Sequence, residues 1–252
     1  MQTATTLHML EITAVVLGKT DCVYPSLLWD GTSAVLVDTG YPRQMASLRD
    51  ALAKVGVTPD KLTTIIMTHQ DLDHIGNLPD LVRESEPPIP VLAHELEKPY
   101  IQGDLRLLKI TPEAIAQIDS LPKEIPLEWR QGLKSLLENP PKAKVDRTVA
   151  DGEELSYCGG IIVISTPGHT PGHISLYHKP SRTLIAGDAM VVENGQLQGP
   201  SPDQTLNMEQ ALLSLKKLSQ YDIQTVICYH GGQYTGDANR RIAELALSSR
   251  IN

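Results

Sequence analysis

Cysteine is scarce in this sequence: Cys22, Cys158 and Cys228 are three among 252 residues, widely spaced, odd in number and without a CxxC pair. That excludes a disulfide framework and suits a reducing compartment. Long apolar runs are missing too. No segment reaches the roughly 18 to 20 apolar residues that span a bilayer, and Met1 to His8 carries no basic stretch followed by an apolar one. No membrane partner and no secretory leader are therefore expected, and the protein reads as cytoplasmic. Net positive charge is absent as well: 22 Lys and Arg stand against 30 Asp and Glu, a formal charge of -8. Nothing global draws such a chain to polyanions, so nucleic acid is not an expected partner. The short basic pairs Lys216-Lys217 and Arg240-Arg241 read as solvated helix faces.

What is present suits an ordinary globular chain. Hydrophobic residues at 41% and charged residues at 21% allow a sizeable core and argue against disorder. Apolar runs at Ile12 to Leu17, Ser26 to Trp29 and Ala34 to Val37 read as antiparallel strands, divided by Gly18 and by the hairpin signal Asp30-Gly31. Gln44 to Val55 has helical spacing at Met45, Leu48, Leu52 and Val55, with Gly56 as its stop. Leu62 to Met67 is a β-branched run expected to form a buried strand. A short helix near Leu78 to Arg83 and a strand at Val91 to Ala93 follow. Residues 95–144 differ, with several prolines and weakly helical stretches, and read as an insertion that either caps a cleft or pads the surface. Strands resume at Ile161 to Ser165, Ile174 to Tyr177, Thr183 to Ala186 and Thr225 to Cys228. Helices are expected at Asn207 to Leu218, where Asn207 and Gln210 have capping-box spacing, and at Asp237 to Leu247.

Four of the expected strands exit into His or Asp: His69 to His74, Gly168-His169, Gly187-Asp188 and His230-Gly231-Gly232. Imidazole and carboxylate together suit divalent first-row metals. The groups His69, Asp71, Asp73, His74, His169, Asp188 and His230 are about what two cations need when one carboxylate bridges them. Within His69 to His74 four potential ligands fall in six residues, a density at which carboxylates repel unless a cation sits among them. By contrast, His94, His8 and His178 read as ordinary polar residues, the last two on the surface, and Cys228 as a small buried hydrophobe.

The segment THQDLDHIG resembles the HxHxDH signature of the metallo-β-lactamase superfamily, here in an HxDxDH form. LVDTG (36–40), TPGHTPGH (166–173), AGD (186–188) and YHGG (229–232) occur in the order that superfamily shows. The resemblance covers about residues 10 to 245. It implies an α/β fold, a four-layered αβ/βα sandwich of two mixed sheets with helices outside, as one domain. It further implies that His69, Asp71 and His169 hold one metal, that Asp73, His74 and His230 hold the other, and that Asp188 bridges. Asp38 would orient a metal-bound His, and His173 would be a non-ligand. Two divalent ions are the implied cofactors: zinc first, with iron or manganese favoured by the acidic Asp71 more than by a histidine.

The implied activity is hydrolysis of a small carbonyl substrate by a metal-bound hydroxide, with Asp73 taking or passing the proton. The bridging Asp188 and the Asp73-His74 pair resemble the lactonase and glyoxalase II branches, which points to a lactone, ester or thioester. Specificity is expected to lie in the 95–144 insertion and in a loop around Lys19 to Tyr24. Acyl-homoserine lactonases usually place a tyrosine shortly after the bridging Asp. Met190, Val191 and Val192 stand there instead, leaving Tyr24, Tyr229 or Tyr234 as substitutes and no residue assigned to substrate binding. Two other readings stay open: a di-iron oxidoreductase of flavodiiron type without its flavin domain, suggested by Asp71, and a non-catalytic metal or ligand binder.

Overall fold

The structure, a computed structural model, describes residues 5–16, 19–122 and 124–248. Two six-stranded sheets organise it. The first runs in the order Thr6–Met9, Ser26–Trp29, Ala34–Val37, Thr64–Ile66, Val91–His94 and Arg147–Val149. Its first three strands are antiparallel neighbours and the rest are parallel. The second sheet runs Gly232–Tyr234, Thr225–Cys228, Thr183–Gly187, Ile174–His178, Ile161–Ser165 and Glu154–Leu155. It is antiparallel except where Thr183–Gly187 lies parallel to Thr225–Cys228.

The continuous apolar runs are explained by the two-residue period of a strand, which sends neighbouring side chains to opposite faces. Leu27, Ala34, Leu36, Ile65 and Val91 point into a core shared with the helices Met45–Lys54 and Leu78–Glu84. Their neighbours Leu28, Val35, Val37, Ile66 and Leu92 meet Ile161, Val163, Ile174, Leu176 and Ile185 of the second sheet in a core between the sheets. The outer face of the second sheet, with Ile164, Leu184, Ala186 and Val226, packs on the helices Met208–Leu218 and Ala238–Ser248. Helix, sheet, sheet, helix gives the four layers of the expected sandwich. Each fully buried Leu, Ile or Val contributes about 1.5–3 kcal/mol, so three cores make the strand ends a rigid frame.

Residues 95–144 leave the first sheet after Val91–His94 and return at Arg147–Val149, beside the strand they left. They carry the helices Lys98–Ile101, Pro112–Asp119 and Leu127–Glu138, with Thr111 capping the second by accepting from Ala114 N. Leu107, Ile110 and Ile115 bury into the first sheet's helical core, so the segment is packed rather than draped. Asn207 Oδ1 likewise accepts from Gln210 N at 3.0 Å to cap Met208–Leu218.

Three expectations are corrected. Lys19 to Tyr24, read as a specificity loop, is mostly the strand Lys19–Val23 paired with Ile12–Val16; Leu17 and Gly18 lie outside the described residues. His178 is not on the surface: it is buried, with Nε2 2.8 Å from Cys158 O and Nδ1 2.6 Å from Ser181 Oγ. Several strands were not anticipated, among them Thr6–Met9, Arg147–Val149 and the hairpin Val191–Glu193 with Gln196–Gln198. At three or four residues they are too short to show a period. Among the described residues no helix is long and apolar enough to cross a membrane.

Candidate metal centre

Three strand exits, a tight turn and one helical turn assemble the site along one edge of the sheets. Thr64–Ile66 delivers His69; Asp71, extended at φ -65 and ψ 148, opens the single helical turn Leu72–Ile75 that carries Asp73 and His74. His169 sits in the turn between Ile161–Ser165 and Ile174–His178, Asp188 follows Thr183–Gly187, and His230 follows Thr225–Cys228.

All seven residues named from the sequence meet here. Their donor atoms form two groups, His69, Asp71, His169 and Asp188 in one and Asp73, His74 and His230 in the other, each within 4.8 Å. In the first, Asp71 Oδ2 lies 3.3 Å from His69 Nε2 and 3.0 Å from His169 Nε2. In the second, Asp73 Oδ2 lies 3.1 Å from His230 Nε2 and 3.8 Å from His74 Nε2. Asp188 reaches both: Oδ2 is 3.3 Å from His169 and 3.5 Å from His230, and Oδ1 is 3.3 Å from His74.

The donors fit a cation. His69 Nε2, His74 Nε2 and Asp188 Oδ1 are buried and have no hydrogen-bond partner among the described residues. Each such group costs about 1–3 kcal/mol, a cost that a metal ion facing all of them removes. The charges agree. Burial pushes the Asp188 carboxyl up, but the fields of His74, His230 and His169 outweigh it and hold the group well below the usual carboxylate range. Burial likewise opposes charging of His230, yet Asp188 and Asp73 raise it to about 10. A positive charge is therefore demanded where the carboxylates converge.

The surrounding groups fix orientation. Asp38 takes a left-handed backbone, φ 61, at the end of Ala34–Val37, a strained conformation for a residue other than glycine. Its carboxylate accepts from Thr68 N at 2.9 Å and Thr68 Oγ1 at 2.7 Å, and lies 2.9 Å from His74 Nδ1. His74 Nδ1 thus donates to Asp38, which leaves the Nε2 lone pair facing the Asp188 carboxylate, an arrangement that suits a cation between them. His173 stands outside both groups. Its Nε2 accepts from Asp188 N at 3.0 Å while Nδ1 meets Thr166 Oγ1 at 2.8 Å, so it is a neutral support for the Asp188 backbone. His94 also points elsewhere, with Nδ1 accepting from Leu96 N. Gly76 sits in the turn that follows Leu72–Ile75; a Cβ there would overlap the backbone of Gly40 and Pro42, so a glycine is needed for close approach of two site loops.

Tyr229 is not among the residues that line the cleft. It is buried, its ring stacks on His74 with centroids 3.7 Å apart, and its hydroxyl accepts from Gly40 N and donates to Asp73 O. Tyr41 lines the cleft instead, its hydroxyl donating to Asp21 Oδ2 at 2.5 Å. The cleft holds about 530 Å³ above Asp71, Asp73 and Asp188, with Leu72, Val191, Val192 and Gln204 in its walls.

Two residues of the 95–144 segment reach the centre without any sequence signal. Glu97 is fully buried. Its Oε2 accepts from Gln70 N at 3.1 Å and Gln70 Nε2 at 2.9 Å, and Oε1 from Thr170 Oγ1 at 2.8 Å and Gly172 N at 2.7 Å. It ties the His69–His74 loop to the His169 turn, yet in sequence it looks like its exposed neighbour Glu95. Lys109 extends to Asp71 and His169.

The comparisons with known proteins agree with this geometry. A family model described as the metallo-beta-lactamase superfamily matches residues 23–230. A probable metallo-hydrolase of Bacillus subtilis (strain 168), YflN, is 29% identical over 231 residues, covering 87% of this chain and 83% of that protein. A hydroxyacylglutathione hydrolase of Bartonella henselae is 34% identical over 115 residues, 43% of each chain. The crystal structure of a metallo-beta-lactamase family protein from Thermus thermophilus matches with a TM-score of 0.69 at 25% identity, over 97% of this chain and 79% of that one.

Proposed function

This chain belongs to the metallo-beta-lactamase superfamily, and on that premise we propose that it is a hydrolase with a two-metal centre acting on a small lactone, ester or thioester. One observation carries the reading: three buried donors without hydrogen-bond partners among the described residues, His69 Nε2, His74 Nε2 and Asp188 Oδ1, converge with two further carboxylates at the floor of an open cleft. His69, Asp71 and His169 would hold one ion, Asp73, His74 and His230 the other, with Asp188 between them. When bound, such ions polarise a carbonyl oxygen and acidify water near neutral pH.

The chain's own groups supply the rest. Asp38 keeps His74 in the tautomer whose Nε2 lone pair is available to an ion, and Asp73 lines the cleft, where its carboxylate takes the proton released on attack. The apolar wall of Leu72, Val191 and Val192 suits the acyl side of a neutral substrate, with the Tyr41 hydroxyl as the nearby polar group. Residues 95–144 act as a cap, since Leu107, Lys109, Ile110 and Leu137 extend the wall beside Asp71 and Asp73. Relatives named as a metallo-hydrolase and a hydroxyacylglutathione hydrolase support the reaction class.

Metal quantification paired with a screen of lactones, thioesters and aryl esters tests this. About two ions per chain and turnover of at least one class are expected; a fully metallated protein inert toward all three refutes it. Zinc is the expected ion. Asp71, a hard anionic donor, favours a second reading as a di-iron oxidoreductase, which iron content and oxygen consumption with an electron donor would separate from hydrolysis.

A further inference from the structure

The segment after Lys98–Ile101 carries a single ammonium into the first half of the centre. Leu107 and Ile110 are buried in the core on either side of Lys109, and Leu108 N donates to Gln70 Oε1 at 2.7 Å. Gln70 Nε2 in turn donates to Glu97. The backbone that bears Lys109 is therefore pinned to the loop that bears His69 and Asp71, and the placement of its side chain does not rest on a free surface strand. Lys109 Nζ lies 2.5 Å from Asp71 Oδ2 and 2.8 Å from His169 Nε2. Those two groups face the same place as His69 Nε2, which is 3.3 Å from Asp71 Oδ2.

An ammonium on Asp71 and His169 makes two of the contacts that a divalent ion would make there. The ammonium occupies the Asp71 Oδ2 and His169 Nε2 lone pairs that the ion would need, so the ion and the ammonium compete for the same donor atoms. The side chain is free to leave: it is 22% exposed and flexes on four methylenes beside the open cleft. The second half differs. Among the described residues, Asp73 pairs with His74 and His230, and no lysine or arginine reaches it.

We propose that Lys109 is an exchangeable counter-ion of the first half-site, neutralising Asp71 in the metal-free protein and having to be displaced before His69, Asp71 and His169 take a cation, so that the two halves load with unequal affinity. The proposal rests on the metal-centre reading above. It assigns to the 95–144 segment a control over metal loading.

The test is titration of chelator-treated, dialysed protein with Zn²⁺ and separately with Mn²⁺, read by calorimetry and by bound metal after equilibrium dialysis. Wild type is expected to show a tight and a weak site. Lys109→Met, which keeps the stem and removes the charge, should tighten the weak site by about tenfold to a hundredfold, the equivalent of one charge-assisted hydrogen bond, and leave the tight site alone. Lys109→Arg should keep two unequal sites, a rescue that a packing role for the methylenes would not require. His230→Ala should remove the tight site and leave the weak one. If Lys109→Met does not fold without metal, Lys109→Gln is expected to give the same tightening. Equal affinities in wild type, or a weak site unchanged or weakened in both neutral variants, overturns the proposal while the metal centre stands. Failure of every form to bind either ion removes the metal centre itself.

Discussion

Glu97 offers a demanding check on how the centre is held, because it touches no proposed metal donor and yet joins the two loops that carry most of them. Replacement by Ala leaves four donors without an acceptor: Gln70 N, Gln70 Nε2, Thr170 Oγ1 and Gly172 N. Two are backbone groups that cannot turn to solvent, at about 1–3 kcal/mol each, and the lost bonds were to a charged acceptor, the stronger kind. A loss of about 3–5 kcal/mol is expected for Glu97→Ala. Glu97→Gln is the sharper probe. It keeps shape and volume, but its amide nitrogen must face either the two N–H donors of Gln70 or the Gly172 N–H beside the Thr170 hydroxyl, so at least one donor is set against a donor and about 1–3 kcal/mol is lost without any cavity. Because the His69–His74 loop and the His169 turn then separate, metal affinity should fall with stability. Denaturant unfolding in chelator gives the first quantity and Zn²⁺ titration the second. If both variants unfold within about 0.5 kcal/mol of wild type, the size of a neutral surface change, and bind Zn²⁺ as wild type does, the hydrogen-bond accounting is wrong.

The other expectations are briefer. Asp188→Ala and His169→Ala should each abolish turnover and lower bound metal to about one ion or fewer by elemental analysis; retained activity in either refutes the proposed centre. Asp38→Asn turns an amide toward His74 Nδ1 and favours the wrong tautomer, so metal affinity should drop about 10–100-fold while the circular dichroism spectrum is kept. Chelation should lower the thermal midpoint, since buried donors lose their partner, and readdition of Zn²⁺ should restore it. His178 is held neutral, burial pushing its pKa below the ordinary 6.5 with the Cys158 carbonyl opposing. Its contribution to stability is present above that value and lost as pH falls toward the depressed one. In metal-saturated protein His178→Gln should make the acid-side slope of stability shallower by up to about 1.4 kcal/mol per pH unit, measured by urea unfolding from pH 7 to pH 5.

The candidate ligands were legible because the segments that carry them follow strands. A β-branched run such as Thr64–Ile66 or Thr225–Cys228 is recognisable from local pattern, and His or Asp at its exit stands out against the apolar residues before it. Asp38 was legible by the same placement. The second group of supports was not. Glu97 and Lys109 come from a segment whose sequence is only weakly periodic, and their partners lie as far as 75 residues away in the chain, as with Glu97 and Gly172. Tyr41 in the cleft wall and the buried His178 were missed for the same reason: burial of one side chain depends on which distant element covers it.

Local chemistry along the chain was enough to place most strands and helices and the His and Asp residues at strand exits, because strand period and turn residues act over a few positions; the layered α/β architecture and the grouping of those donors were implied by the resemblance of the motifs. Tertiary structure decided which carboxylate became a buried brace, which tyrosine faces the cleft and which lysine enters the centre. Those outcomes depend on packing between segments far apart in sequence, where no short-range preference distinguishes Glu97 from Glu95 or Tyr41 from Tyr229.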